Sequence, residues 1–215
     1  MVTASDENTA FAPERFFSLA AARLQQEPPV RADSERLGDH LLNPGFLPGD
    51  MTYRDAAVLI PVVAREPAAT VLLTQRTSHL SSHAGQIAFP GGKIEPADKD
   101  AGAAALREAE EEIGLAPELV GVLGYLEPYL TRTGYRIVPV LGRVDPAFRL
   151  RINADEVEEA FEVPLAFLMR PENHRQNSRV FLGKPRYFYE MPFEGRYIWG
   201  VTAGIIRALY ERVLG

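Results

Sequence analysis

The run Asp98–Leu115, DKDAGAAALREAEEEIGL, constrains this chain more than any other segment. Asp98 and Asp100 are capping candidates, the alanines, leucine, arginine and glutamates that follow favour a helix, and Gly114 is a natural stop. The spacing therefore predicts a helix over 98–114. Glu108, Glu111 and Glu112 recur at i, i+3 and i+4 and share a face, while Leu106, Ala109 and Ile113 form an opposite apolar stripe that must pack on other structure. Crowded carboxylates repel, costing a few tenths of a kcal/mol per pair (~0.2–0.5). A cation offsets that cost, and hard oxygen ligands suit Mg²⁺ or Mn²⁺. Taken alone, an acidic run of this kind is more commonly a solvated face.

The flanking sequence predicts a mixed α/β chain rather than a regular βαβ repeat. Upstream, 11–26 has apolar residues at helical spacing and is ended by Pro28 and Pro29. Segments 56–64 and 69–76 read as strands of a hairpin around Glu66–Pro67, and 86–89 as a short strand entering Pro90–Gly91–Gly92. Downstream, 119–125 and 136–144 read as strands around a polar-aromatic loop. Residues 156–162 form a short acidic segment, most simply an exposed helical turn. A helical turn at 164–169, strand-like runs at 179–191 and 197–198, and a helix over 200–213 complete the chain. Residues 1–50 are expected to be an extension of helix and loops packed on a domain spanning 51–215.

Composition removes whole classes of function. The 215 residues contain no Cys, so a disulfide framework, a thiolate metal site and a Cys nucleophile are excluded. The net charge of −6 argues against a nucleic-acid partner. It leaves open an anionic small molecule, because divalent cations can bridge two sets of negative charges. The most apolar stretch, 56–64, is interrupted by Pro61 and is too short for the ~20 residues of a membrane span. With Asp6 and Glu7 near the start and no basic-then-apolar run, export is not expected; cytoplasm and no membrane partner are.

Set in its surroundings, the helix has a second meaning. Gly92, Asp98, Arg107, Glu108, Ala109, Glu111, Glu112, Gly114 and Leu115 resemble the Nudix box, with an Asp for the first acid and a spacer one residue longer than usual. Immediately upstream, LLTQRTSHLSSHAGQIAFPGG (72–92) resembles the additional signature of the coenzyme A pyrophosphatase branch of Nudix hydrolases. It matches at Leu72, Leu73, Thr74, Arg76, Gly85, Phe89, Pro90, Gly91 and Gly92. Thr77 and Ser81 depart from it; Ser81 stands where an arginine is usual. The likeness extends over about 50–213.

The resemblance implies a Nudix α/β/α sandwich with a mixed sheet. It implies Mg²⁺- or Mn²⁺-dependent hydrolysis of coenzyme A or an acyl derivative to 3′,5′-ADP and 4′-phosphopantetheine. ADP-ribose or dinucleotides such as NADH and diadenosine polyphosphates are the alternative substrates, and a non-catalytic nucleotide-binding module is the alternative of another class. A homodimer is one option that the sequence leaves open. Glu108, Glu111, Glu112 and the Gly91 carbonyl are the expected metal ligands, and Glu111, Glu112 and Arg107 the expected catalytic group, with Arg107 holding a glutamate in place. The proton acceptor is Glu111 or Glu112 within the box, or Glu156, Glu158 or Glu159 beyond it. Arg76, Lys93, Arg132, Arg136, Tyr129 and Tyr135 are candidate substrate contacts. Trp199 reads as core, and His79 with His83, in a Gly/Ser-rich loop, does not read as a zinc pair.

Overall fold

A computed structural model describes residues 12–29, 37–45, 47, 51–79 and 84–215. Its elements run α1 (Pro13–Arg23), β1 (Leu37–Gly38), β2 (Arg54–Val63), β3 (Thr70–Arg76), β4 (Ile87–Ala88), β5 (Gly91–Lys93) and α2 (Ala101–Ile113). They continue with β6 (Val120–Tyr125), β7 (Tyr129–Leu130), β8 (Tyr135–Val144), β9 (Val157–Pro164), α3 (Leu165–Leu168), β10 (Arg175–Phe181), β11 (Lys184–Phe193), β12 (Arg196–Trp199) and α4 (Val201–Val213).

The centre is a parallel pair, β2 with β8, in register from Arg54↔Tyr135 to Val63↔Val144. Around it a mixed sheet runs β1-β7-β8-β2-β3-β4, with β5 added to β2, β6 to β8 and β9 to β3. Strand alternation divides the core into two layers. Ala57, Leu59 and Val63 of β2, with Val138 and Val140 of β8, meet Ala104, Ala105, Ala109 and Ile113 of α2. Ile60 and Val62 face the other way, toward Phe16 and Phe17 of α1 and Ile205, Ile206 and Leu209 of α4. The result is the expected α/β/α sandwich. Strands β10–β12 form a separate antiparallel sheet beside it. Among the described residues no helix is long and apolar enough to cross a membrane.

The α2 helix starts where the sequence predicts a cap. The Asp100 side chain accepts from the Ala103 N–H at 2.9 Å, and Gly114 ends the helix with φ 68°, a left-handed conformation that glycine adopts without strain. The acidic segment 156–162 differs from expectation. Residues 157–164 are strand β9, paired antiparallel with β3, because Val157 and Val163 are buried on the sheet. A period-2 pattern this short and this acidic hides its apolar positions. Residues of α1 also tie into the last helix: Arg23 Nη1 donates to the Val213 carbonyl at 2.8 Å, and Arg212 Nε to the Arg23 carbonyl at 2.8 Å.

Candidate active site

Arg107 organises the acidic end of α2. Its Nε and Nη2 donate to the two oxygens of Asp98 at 3.0 Å each, Nη1 to Glu108 at 3.0 Å and to Glu111 at 3.1 Å, and Nη2 also to the Lys93 carbonyl at 3.1 Å. A guanidinium has five donors, and these five contacts use them all. Arg107 is thus committed to shaping the helix and the β5 turn, with no donor left over for a substrate phosphate. These same contacts, Asp98 first, raise its pKa and hold Asp98 below the usual carboxylate range.

The three glutamates are less alike than helical spacing predicts. Glu111 points outward, its side chain 56% exposed, whereas Glu112 is 4% exposed and Glu108 16%. Glu108 lies against Gly92 so closely that a Cβ there would collide with its carboxylate; the glycine makes the cradle. Glu112 accepts from the Gly91 N–H at 3.3 Å and faces Arg76 Nη1 at 3.6 Å, both long contacts for a buried anion. Burial, the largest influence, lifts its pKa to about 7, with Glu108 and Glu156 adding repulsion and Gly91 and Arg76 only partly opposing it. Burial likewise raises Glu108.

Glu108, Glu112, Gly91 and Glu156 open onto one cleft of about 920 Å³. Arg76, Lys93, Arg132 and Tyr135 line it too, so these four expected substrate contacts share a cavity with the acidic residues. Two expected contacts do not. Tyr129 is 4% exposed and donates to Asp39 Oδ1 at 2.6 Å, because its ring fills the space beside Gly204 in the core. Arg136 is paired with Asp55 at 2.6 Å on the neighbouring β2 strand and does not line the cleft. Among the proton-acceptor candidates outside the box, Glu156 lines the cleft, Glu158 is exposed, and Glu159 is paired with Arg196 at 2.5 Å. Ser81 and His83 lie outside the described residues.

The cleft also has walls that sequence reasoning missed. Trp199 is half-buried and lines it rather than the core, as do Phe181, Arg186 and Asp39. Arg132 stacks over the Phe181 ring at 4.5 Å. Nothing in the strand pattern of 175–199 marks its wall-forming residues, because the placement of that sheet over the cleft is a tertiary event.

The NUDIX domain family model matches residues 52–183. The chain belongs to the Nudix family. It is 44% identical over 169 residues, covering 79% of this chain and 88% of the relative, to a protein of Escherichia coli K12 described as the uncharacterized Nudix hydrolase NudL. The protein of the same description from Shigella boydii is 43% identical over the same span. Among solved structures, a MutT/nudix family protein from Enterococcus faecalis aligns with TM-score 0.50 and 17% identity, covering 100% of this chain and 75% of that one, which speaks to fold alone.

Nudix hydrolases generally use divalent ions such as Mg²⁺ or Mn²⁺. Among the described residues no three His, Asp or Glu side chains are gathered closely enough to hold a metal by themselves. Of the expected trio, Glu111 is exposed and takes Arg107, while Glu108 and Glu112 open onto the cleft. The remaining donors still fit. Mg²⁺ characteristically uses one or two carboxylates and keeps several waters. Glu112, buried with two long contacts and a strongly raised pKa, is an anion that a cation would satisfy.

Proposed function

We propose that this Nudix hydrolase cleaves the diphosphate bond of coenzyme A or an acyl derivative, giving 3′,5′-ADP and 4′-phosphopantetheine or its acyl form, in the cytosol. The observation that carries this reading is a single cleft that joins two chemistries. Glu108, Glu112 and Glu156 open onto it together with Arg132, Tyr135 and Trp199. A diphosphate needs the first group through a cation; a nucleotide and a long arm need the second. At about 920 Å³ the cleft is at the large end of small-molecule sites, which span roughly 300–1,000 Å³. The signature at 72–92 supports the same substrate class.

Glu108 and Glu112, with the Gly91 carbonyl, are the residues that would hold the metal; Glu111 acts at a distance, as a partner of Arg107. The metal, when bound, supplies the positive charge that lets an acidic cleft accept a diphosphate and the acidity that makes water a nucleophile at neutral pH. Arg76 and Lys93 sit where they can meet phosphate oxygens beside these carboxylates. Glu156 takes the proton from the attacking water. Of the three candidate carboxylates outside the box it is the one that opens onto the cleft, whereas Glu158 and Glu159 are turned to solvent or to Arg196. Residues 51–215 form the hydrolase unit.

A panel of coenzyme A, acetyl-coenzyme A, ADP-ribose, NADH and diadenosine polyphosphates, with Mg²⁺ and with Mn²⁺, tests the reading. Coenzyme A or its acyl form is expected to show the highest kcat/KM. Preference for ADP-ribose would make the Ser81 departure decisive and overturn the substrate assignment.

A further inference from the structure

The wall of the cleft formed by β10–β12 carries an arrangement that the diphosphate chemistry does not use. In a chain of net charge −6, Arg186 of β11 stands directly opposite Arg179 of β10. Like charges opposed across a sheet destabilise it. Arg179 lies over the Trp199 ring at 4.7 Å, and Arg132 reaches the same wall over Phe181. Arg132, Arg186 and Trp199 all line the cleft.

Arg186 is held from outside the Nudix match. Asp39, 4% exposed, takes Arg186 Nη2 at 2.6 Å and the Tyr129 hydroxyl at 2.6 Å. The next residue of β11 is gripped by the same short segment. Asn43 Oδ1 accepts from the Tyr187 N–H at 2.8 Å, and Asn43 Nδ2 donates to the Tyr187 carbonyl at 2.9 Å. Asn43 Nδ2 also donates to the Asp39 carbonyl at 2.6 Å, tying the two anchors together. Thus residues 39–43 fix both the backbone beside Arg186 and the direction of its guanidinium. A surface ion pair would not need such a frame; a cation that must stay aimed into a cleft does.

We infer that Arg186, aimed by Asp39 and accompanied by Arg132, binds a phosphomonoester of the substrate that lies apart from the scissile diphosphate. The inference rests on the coenzyme A reading, in which that group is the 3′-phosphate. Asp39 is a positioning residue: it acts through Arg186. The segment before the Nudix domain is thereby part of the substrate site, and Arg186 supplies the cation that the signature loses at Ser81.

The test compares kcat/KM for coenzyme A and dephospho-coenzyme A in the full chain and in Arg186→Gln, Arg186→Lys and Asp39→Asn. The ratio of the two substrates does not depend on how much of a variant folds, so a destabilised variant still answers. The parent should prefer coenzyme A by about tenfold or more, as one charge-assisted phosphate contact allows. Arg186→Gln should bring the ratio to near one, Arg186→Lys should keep part of the preference, and Asp39→Asn should lower it through KM rather than kcat. Calorimetry with 3′,5′-ADP and 5′-ADP should show the same preference in the parent and its loss in Arg186→Gln. A parent that cleaves both coenzymes equally overturns this inference and leaves the diphosphatase reading standing. Arg186→Gln with the parent's ratio overturns the assignment to Arg186. Hydrolysis of ADP-ribose but of neither coenzyme overturns both.

Discussion

Arg107 holds Asp98 through two parallel hydrogen bonds, Nε to Oδ1 and Nη2 to Oδ2, each 3.0 Å long. Asp98 in turn accepts from the Glu95 N–H at 2.8 Å, which closes the turn before α2. The Asp and longer spacer of this box therefore have a structural use: they place a carboxylate where the arginine's fork can lock onto it. From that lock the same guanidinium reaches Glu108 and Glu111.

Asp98→Ala should release the fork and loosen Glu108 without removing any group that faces the cleft. The expected result is a fall in kcat of about tenfold, some 1.4 kcal/mol of transition-state stabilisation. Urea denaturation should show a loss of about 1–3 kcal/mol, the usual cost of leaving a half-buried partner unsatisfied. An Asp98→Ala enzyme with the parent's kcat would show that the lock has no part in catalysis.

Glu112 should give the metal-free protein an inverted pH dependence. Its pKa rises from 4.5 to about 7 on folding, so between those values the folded chain holds a proton that the unfolded chain has lost. Its contribution to stability is therefore fully present below about pH 4.5 and is lost as pH rises through about 7, on the order of 3 kcal/mol in all. Glu112→Gln cannot ionise. In chelator it should be more stable than the parent at pH 8 and comparable at pH 4.5, as read by thermal melting. Divalent metal should raise the parent's melting temperature at pH 8 and leave the variant's almost unchanged. A parent no less stable than the variant at pH 8 in chelator would remove the buried carboxylate from this role.

Glu156→Gln should separate proton transfer from metal binding. As the general base, Glu156 should be worth about 10²-fold or more in kcat. Mn²⁺ affinity, measured by EPR titration, should stay within about twofold, a change below 0.5 kcal/mol. A variant that retains kcat would return the base to the box helix.

Much of this site was legible because its chemistry is local. The α2 cap at Asp100, the stop at Gly114 and the closeness of Glu108 to Glu112 follow from one helix, whose geometry sequence spacing encodes. Spacing does not tell Glu111 from Glu112, since the two differ by about 100° around the axis and only Glu112 is buried. Tyr129 and Arg136 lie off the cleft for a related reason. They alternate along strands, and nothing local tells which partner, Asp39 or Asp55, will claim them. Strand β9 is hidden because three acidic residues, Glu158, Glu159 and Glu162, mask its two buried valines. Arg186 and Asp39 lie 147 residues apart, and their meeting is set wholly by how the second sheet lies against the first.

The Glu108–Glu112 end of the cleft is assigned metal-dependent attack on a diphosphate. Its most direct test is product analysis by mass spectrometry after reaction with coenzyme A and Mg²⁺ or Mn²⁺ in H₂¹⁸O, with Glu112→Gln beside the parent. The parent should release 3′,5′-ADP and 4′-phosphopantetheine in equal amounts, one ¹⁸O on one of the two, and Glu112→Gln should do so about 10²-fold more slowly, a barrier roughly 2.7 kcal/mol higher. Release of inorganic diphosphate or free adenosine, or no cleavage of any diphosphate with either metal, would rule out this reaction at the Glu108–Glu112 site.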